Sequence, residues 1–325
     1  MLTAVLQADS SVGPTVTITR GATSETVLEF QPSIVVNATG AWVDLTLEGL
    51  QVESKRQMGG TKGSHFVTSH RRLCELLDGR AVYTEAGDGR PIFILPFVDQ
   101  TALIGTTDEL FEGNPEDAAA TPKELEYLVA AVNDVFPGLA LTVDDAHLHY
   151  AGVRPLPFTN TADAGAISRR HRIEPNTRCD VPLYSLIGGK LTTCRSLAEE
   201  AADTILSRLR IQRCAHSRDR PITELVPALV ATSATWSHSQ SNAASSDTLA
   251  GTTISFDDIK RVIQNEWVTT LGDLAERRLM LIYHPAVRRE AIEQLADLLI
   301  DAGLLTSAER NDAVNTLVTR WRIDS

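Results

Sequence analysis

The chain has 325 residues, of which 43% are apolar, and its formal net charge is -12. This length suits about two globular domains, and the acidic balance argues against general nucleic-acid binding, which requires a basic surface. Cys74, Cys179, Cys194 and Cys214 form no CxxC pair, so we expect reduced cytoplasmic thiols rather than a zinc site or a disulfide framework, and the sequence shows neither a membrane-spanning run nor a signal peptide.

Short β-branched runs between residues 15 and 37 predict strands, namely TVTITR, TVLEF and SIVVNATG. The intervening GATSE is typical of a hairpin turn, and a helix is expected from Ala41. A second block predicts more strands, namely GSHFVTS, RAVYTEAGDGRPIFILPFVD and TALIGTTD. Gly87-Asp88-Gly89 predicts a hairpin within this block. The pattern indicates a mixed or antiparallel sheet.

Helix signals follow this block. Thr121-Pro122-Lys123-Glu124 combines an N-cap, a first-turn proline and the carboxylate of a capping box, and Pro137-Gly138 predicts the end of that helix. GGKLTT predicts the start of another helix, whose apolar stripe comprises Leu191, Cys194, Ala198, Ala201, Ile205 and Leu209. After a Ser/Ala/Thr-rich run, further helices are predicted over 256–281, 286–302 and 307–321. We therefore predict a mixed α/β domain over 1–211, a linker over 212–253 and an all-helical domain over 254–325.

Two turns at predicted strand ends are candidate ligand-binding elements. Ala38, Thr39 and Gly40 follow a buried strand, the position at which ligands approach an open α/β sheet; a tight turn without a ligand is the alternative. IGGKLTT fails the phosphate-loop pattern because Tyr184 and Leu191 occupy its required Gly and Ser/Thr positions. It still predicts a helix N-terminus that favours partial negative charge, such as the pyrimidine edge of a reduced flavin. Glycines that serve only a close turn, with Lys190 exposed, are the alternative.

Arg154 is the first charged candidate, held between a glycine and a proline in YAGVRPL. A fixed guanidinium suits a carboxylate, phosphate or carbonyl oxygen, although a surface ion pair is the alternative. In SRRHRI, side chains would alternate between two faces if the segment were extended, with Arg169 and His171 on one face. One of these basic residues could bind a phosphate. A solvated basic loop explains the same run.

Histidines supply the remaining candidates. His65, in KGSH, is a candidate proton acceptor near neutral pH, with a structural histidine as the alternative. His147 and His149 alternate but have no third ligand nearby, so no metal site is predicted. The hydrolase patterns GxSxG, HExxH and SxxK are absent from the sequence.

Taken in chain order, several of these motifs resemble the FAD-dependent glycerol-3-phosphate dehydrogenases. The resemblance rests on VVNATGAWV, KGSHFV, PIFILPFVDQTALIGTTD, YAGVRPL, ISR and LIGGKLTTCRSLAEEAAD, and IKRVIQNEWVTTLGDLAERRLML resembles the start of that family's helical C-terminal domain. It implies an α/β (α+β) fold with a partial FAD-binding, Rossmann-like domain, a mixed or antiparallel substrate-domain sheet and a small all-helical C-terminal domain.

The resemblance also implies an activity and a setting for it. Such enzymes oxidise sn-glycerol 3-phosphate at C2 to dihydroxyacetone phosphate, with a hydride passing to flavin N5 and electrons continuing to quinone, or to oxygen in oxidase relatives. For this chain it implies FAD as cofactor and a cytoplasmic location, with peripheral attachment to the inner face of the cell membrane possible. A homodimer is compatible with the resemblance, and no nucleic-acid partner is expected.

Site residues are implied in the same way. Arg154 would face the substrate oxygens, Arg169 would hold the phosphate, Lys190 would lie near the reacting end and His65 would transfer the proton. The residues that would contact FAD are Ala38, Thr39, Gly40, Gly189, Lys190, Leu191 and Thr192.

The sequence departs from the family pattern at its start and in the Ser/Ala-rich run. The family opens with a strand, a GxGxxG turn and a helix, whereas this sequence begins close to the strand before VVNATG. We therefore expect a truncated form that retains FAD weakly or not at all. Two other hypotheses stay open: a non-catalytic remnant that acts as a binding module, and a flavin-dependent amino- or hydroxy-acid oxidase. The GVRPL, SR and GGKLTT set favours a phosphorylated substrate over the latter.

Overall fold

The computed structural model describes residues 2–9, 13–20, 25–160, 165, 167–176, 181–218, 220 and 248–321. The strands of this part of the chain form three sheets. The strands are β1 (Leu2–Asp9), β2 (Gly13–Arg20), β3 (Glu25–Phe30), β4 (Val35–Asn37), β5 (Thr61–Thr68), β6 (Val82–Glu85), β7 (Pro91–Pro96), β8 (Ala102–Gly105), β9 (Glu109–Leu110), β10 (Leu148–Arg154), β11 (Arg172–Asn176) and β12 (Leu183–Ile187). The helices are α1 (Val43–Gly49), α2 (Arg71–Leu77), α3 (Pro122–Val135), α4 (Cys194–Leu209), α5 (Phe256–Asn265), α6 (Arg289–Asp301) and α7 (Arg310–Trp321).

The largest sheet is antiparallel and has the order β10-β5-β8-β7-β6, with β9 also paired to β5. Its β6–β7 hairpin turns at residues 87–89, as predicted, and closes with a hydrogen bond from Ala86 N to Arg90 O at 2.8 Å. Successive strand residues point to opposite faces. Strand β5 therefore sends Lys62, Ser64 and Phe66 to one side and its odd-numbered residues to the other.

Helices α2 and α3 cover the first of these faces and form its core. Phe66, Ile94 and Ile104 from the sheet pack with Leu73 of α2 and Leu128 of α3, and all five are fully buried. Each such side chain stabilises the fold by about 1.5–3 kcal/mol relative to an exposed position. The predicted start of α3 is confirmed, with Thr121 as N-cap and Glu124 completing the capping box.

A smaller sheet brings the two candidate turns together. Strand β12 is parallel to β4, with Leu183 opposite Val35 and Ser185 opposite Asn37, and β11 is antiparallel to β12. Helix α1 packs its buried Val43 and Leu47 against this sheet. Because parallel neighbours end at the same sheet edge, the segments 38–40 and 188–190 emerge side by side.

The first three strands form a separate antiparallel sheet in the order β1-β2-β3. Strands β2 and β3 confirm the predicted TVTITR and TVLEF strands, whereas β1 was not predicted. The predicted GATSE turn lies mostly outside the described residues, as does most of the predicted linker over 212–253.

Residues 248–321 build a helical region around a core of their own, which includes Ile259, Leu274, Leu295 and Leu317. The continuous helix predicted over 256–281 is wrong. Helix α5 ends at Asn265, and a π-helical turn (Asp273–Arg278) and a 3-10 turn (Leu281–Tyr283) follow.

The break after α5 has a local cause. The backbone N–H groups of Thr269 and Thr270 both donate to the Asp273 carboxylate, at 3.2 and 2.9 Å, and the Thr269 hydroxyl donates to it at 2.7 Å. Side chains that bond nearby backbone groups compete with helix hydrogen bonds. This Asp273 cap starts a new helical segment instead of continuing α5.

Helix α4 begins after GGKLTT, as predicted, but its predicted apolar stripe is largely unburied. Ala201 is buried, whereas Leu191 is 89% exposed and Cys194 is also exposed. Helical spacing identifies a stripe without showing what covers it. None of the helices in the described ranges is both long and apolar enough to cross a bilayer.

Candidate active site

The face of the large sheet opposite α3 carries the charged candidates. In the β10–β5 register Tyr150 lies opposite His65, Gly152 opposite Gly63 and Arg154 opposite Thr61. Residues directly opposite each other in an antiparallel pair point to the same side. His65 and Arg154 therefore share this face, and the two glycines between them leave room for long side chains.

Arg154 is fixed by four acceptors. Its Nη2 donates to Thr106 Oγ1 and to the Thr107 carbonyl oxygen, both at 3.0 Å. Its Nη1 donates to Asp108 Oδ1 at 3.0 Å and to Thr61 Oγ1 at 3.5 Å. The ion pair with Asp108 is mostly enclosed, with 24% and 21% of the two side chains exposed. Arg154 thus forms an ion pair, as the alternative interpretation expected, but the pair is largely enclosed and does not lie at the surface.

Gly63 provides the space for this guanidinium. A Cβ at position 63 would lie 2.6 Å from Thr106 Oγ1 and 2.7 Å from Arg154 Cζ, both closer than side-chain contacts allow. A Cβ at Gly152, in the opposite strand, would meet nothing within 4 Å. The small residue is therefore required at position 63 and not at its cross-strand neighbour.

Asp108 bridges two of the candidate arginines. Its Oδ1 accepts from Arg154, while its Oδ2 lies 3.5 Å from Nη2 of Arg169. Two guanidinium groups thus share one carboxylate and retain a net positive charge. Half of the Arg169 side chain is exposed, so it can reach an incoming anion. Sequence reasoning missed Asp108, although it ends the GTTD motif.

His65 lies beside this cluster. Its imidazole stacks on Tyr150 with ring centroids 5.2 Å apart, and a Cβ at Gly105 would lie 2.7 Å from its Nε2. Burial, together with the positive charge of Arg154, lowers the pKa of His65 below its usual value. The imidazole is therefore neutral near neutral pH, the state in which it can accept a proton.

The turn over 38–40 is organised by Asn37, a buried polar residue that sequence reasoning missed. Its Oδ1 accepts from Thr39 Oγ1 at 2.7 Å, and its Nδ2 donates to the Val43 carbonyl oxygen at 3.0 Å. A Cβ at Gly40 would lie 3.9 Å from Cβ of Pro155, the residue after Arg154. The turn therefore lies next to the end of β10.

The second turn lies against the segment that carries Arg169. Gly188 and Gly189 have φ values of +75° and +97°, a region that favours glycine. A Cβ at Gly188 would lie 2.9 Å from the Arg170 carbonyl oxygen. After Lys190 the chain enters a 3-10 turn, Leu191–Thr193, that leads into α4. The first turn of a helix has unpaired backbone N–H groups, here at the sheet edge shared with residues 38–40.

The arrangement fits a planar, electron-rich ring. Two turns of small residues meet at one sheet edge, one of them opens a helix, and the dipole of a helix N-terminus favours negative charge. The residues that would hold such a ring are those predicted from the sequence: Ala38, Thr39, Gly40, Gly189, Lys190, Leu191 and Thr192.

Other predicted residues are not brought together. Lys190 is exposed, and no hydrogen bond or ion pair joins it to His65, Arg154 or Arg169 in the described part of the chain. The predicted common face for Arg169 and His171 is wrong, because β11 begins only at Arg172. His171 Nε2 instead lies 2.8 Å from Glu200 of α4.

Two cavities lie apart from this cluster. One of about 570 Å³ is lined by α1 and residues near Gly60 and Phe111. Another of about 550 Å³ separates His147 and His149 from the helical region. Neither is lined by His65, Arg154 or Arg169. Within the described ranges, no group of three or more His, Cys, Asp or Glu residues is arranged to hold a metal.

Comparison with known families gives the class of protein to which this chain belongs. Residues 3–203 match the family described as "DAO: FAD dependent oxidoreductase", which covers more than half of the chain. The chain belongs to this family, as the resemblance implied, and the predicted mixed α/β fold is confirmed.

Curated relatives are longer proteins. The chain is 41% identical over 187 residues to a glycerol-3-phosphate dehydrogenase of Synechocystis sp., a match that covers 55% of this chain and 33% of that protein. It is 34% identical over 199 residues to D-erythritol 1-phosphate dehydrogenase of Brucella abortus, covering 61% of this chain and 38% of that protein. The matches thus span between a third and two fifths of the length of these relatives.

A solved structure supports the fold over nearly the whole chain. The glycerol-3-phosphate dehydrogenase of Bacillus halodurans, complexed with FAD, superposes with a TM-score of 0.70. The match covers 98% of this chain and 68% of that chain at 22% sequence identity.

Proposed function

We propose that this chain binds sn-glycerol 3-phosphate and supplies residues for its FAD-dependent oxidation to dihydroxyacetone phosphate. The observation that carries the proposal is the pair of arginines bridged by Asp108 beside a neutral His65. Relatives named as dehydrogenases of phosphorylated polyols add support.

The arginines account for substrate binding. Arg169, half exposed, binds the phosphate, whose oxygens compete with Asp108 for its guanidinium. Arg154 is held rigidly by its four acceptors, and its always-charged guanidinium attracts the oxygens at the reacting end, to which the remaining Nε–H donates. Lys190 is exposed on the neighbouring turn, and its role at the reacting end stays a prediction from the resemblance. This local positive charge attracts a dianion although the whole chain is acidic.

His65 accounts for proton transfer. Its imidazole takes the proton of the C2 hydroxyl at Nε2, and burial, together with the charge of Arg154, keeps it unprotonated before substrate arrives. A bound FAD would supply the hydride acceptor for C2. Residues 38–40 and 189–192 would hold its ring at the sheet edge, and we propose quinone as the final electron acceptor.

The phosphate preference separates this proposal from an amino- or hydroxy-acid oxidase. Such substrates carry a carboxylate, for which one arginine suffices, whereas this site offers two arginines around a single carboxylate. A binding module without catalysis is the remaining alternative. It predicts substrate binding without flavin reduction.

The test combines binding with flavin reduction in the full chain. Calorimetric titration with sn-glycerol 3-phosphate should show binding that Arg169→Ala weakens by about tenfold or more. Arg170→Ala removes the same charge from the adjacent exposed position and is the matched control. Anaerobic addition of the substrate with excess FAD should bleach the flavin absorbance.

Three results would count against parts of this proposal. Binding without bleaching favours the binding module. Equal affinities for Arg169→Ala and Arg170→Ala exclude the phosphate role of Arg169. Tighter binding of D-lactate or glycine than of sn-glycerol 3-phosphate favours the oxidase alternative.

A further inference from the structure

Glu124 does more than cap helix α3. A capping box requires one carboxylate oxygen to accept from the N-cap residue, and Glu124 Oε2 does this with Thr121 N and Oγ1 at 2.9 and 2.8 Å. The same carboxylate also accepts from Lys62 Nζ, Ser64 Oγ and Thr107 Oγ1, each at 2.7 Å. Five donors therefore converge on one carboxylate that is 2% exposed.

Helix stability alone does not explain this arrangement. Burial would raise the pKa of Glu124, but the hydrogen bonds from Lys62, Thr121, Ser64 and Thr107 lower it to about 2. A buried ion pair such as Lys62–Glu124 is weak evidence for stability, because desolvation of both charges offsets their attraction. The capping box at Thr142 and Asp145 functions at an exposed position without any such pair.

The extra donors lead to the candidate active site. Thr107 donates its hydroxyl to Glu124 and accepts from Ser64 N at 2.8 Å, which fixes the segment 106–108 against β5. That segment supplies three of the four acceptors of Arg154: Thr106 Oγ1, the Thr107 carbonyl oxygen and Asp108 Oδ1. Asp108 also holds Arg169.

We propose that Glu124 is a positioning residue for the substrate-binding arginines and acts through Thr107. The carboxylate lies on the helix side of the sheet, and the 106–108 segment transmits its position to the opposite face. This inference rests on the proposed function for its substrate and on the hydrogen bonds above for its geometry.

Thr107→Val tests the link without disturbing the helix cap. The substitution keeps the shape and the backbone carbonyl bonded to Arg154 but removes the hydroxyl bonded to Glu124. We expect the affinity for sn-glycerol 3-phosphate to fall about tenfold and Thr107→Ser to restore it to within about twofold. The matched control is Thr142→Val, which removes the hydroxyl of the other capping box in this region. It should lower the melting temperature and leave the affinity unchanged.

A second readout does not depend on substrate. In the wild-type chain the Nη protons of Arg154, assigned with Arg154→Ala, should exchange slowly and show hindered guanidinium rotation by NMR. Thr107→Val should accelerate both and Thr142→Val should not. If Thr107→Val leaves rotation and exchange at wild-type values, the positioning role is wrong. If the wild-type chain fails to bind sn-glycerol 3-phosphate while Thr107→Val still releases Arg154, the proposed function fails and the positioning role stands.

Discussion

Gly63→Ala tests the placement of Arg154, because a Cβ at this position would meet the Arg154 guanidinium and the Thr106 hydroxyl that binds it. The added methyl would lie 2.7 Å from Arg154 Cζ and 2.6 Å from Thr106 Oγ1. Arg154 Nη2 would lie closer still, and ordinary contact begins near 3.4 Å, so the guanidinium must move by about 1 Å. Its two 3.0 Å hydrogen bonds from Nη2 then lengthen towards the limit of hydrogen bonding.

The expected loss follows from these bonds. A hydrogen bond to a charged group contributes about 1.5–3 kcal/mol, and a misplacement of about 1 Å in a binding group costs roughly 10²-fold. We therefore expect the dissociation constant for sn-glycerol 3-phosphate to rise about 10- to 100-fold. The fold should persist, because the displaced group is the far end of a flexible side chain.

The assay is calorimetric titration of the full chain, accompanied by thermal unfolding. Gly152→Ala is the control, since it places the same methyl in the opposite strand with nothing within 4 Å. It should change the dissociation constant by less than about twofold. Equal affinities for the two variants would show that the placement of Arg154 does not determine substrate affinity. A large fall in melting temperature for Gly63→Ala alone would show that the substitution disturbs more than the site.

Two further predictions concern titration. Arg154→Gln should raise the pKa of His65 towards its ordinary value of 6.5. The pKa should not reach that value, because burial is the larger cause of the lowered pKa and remains in the variant. NMR titration of the imidazole measures the pKa, and an unchanged value would contradict the proximity of the two groups. The pKa of Glu124 is lowered from 4.5 to about 2, so its ionised carboxylate stabilises the fold above pH 4.5. This contribution is lost as the pH falls towards 2. The free energy of unfolding of the wild-type protein should therefore fall by about 3 kcal/mol more than that of Glu124→Gln between pH 5 and 2. Urea unfolding measures both, and an equal fall in the two proteins would show that the buried network does not contribute to stability.

Local signals were reliable where a few neighbouring residues decide the structure. The capping box at Thr121 and Glu124 and the hairpin at 87–89 were predicted correctly. In both cases the determining contacts join residues within four positions of each other. The helix predicted over 256–281 is wrong because the prediction relied on apolar periodicity and overlooked the local bonds of Thr269 and Thr270 to Asp273, which start a new segment.

Burial was less predictable than helix formation. The stripe on α4 has the correct spacing for a helix face, yet Leu191 and Cys194 are exposed. Spacing depends on the helix alone, whereas burial depends on what packs against it. The roles of Lys190 and of the residues that would contact FAD stay predictions for the same reason.

For the candidate site, the sequence by itself determined the reactive groups: the types and order of His65, Arg154, Arg169 and the two glycine-rich turns. Only the tertiary structure decided which of them lie together. Arg154 meets Asp108 across 46 positions of sequence, and Lys62 meets Glu124 across 62. No periodic or local sequence pattern predicts such pairs, because the antiparallel register of β5 and β10 and the packing of α3 on the sheet create them.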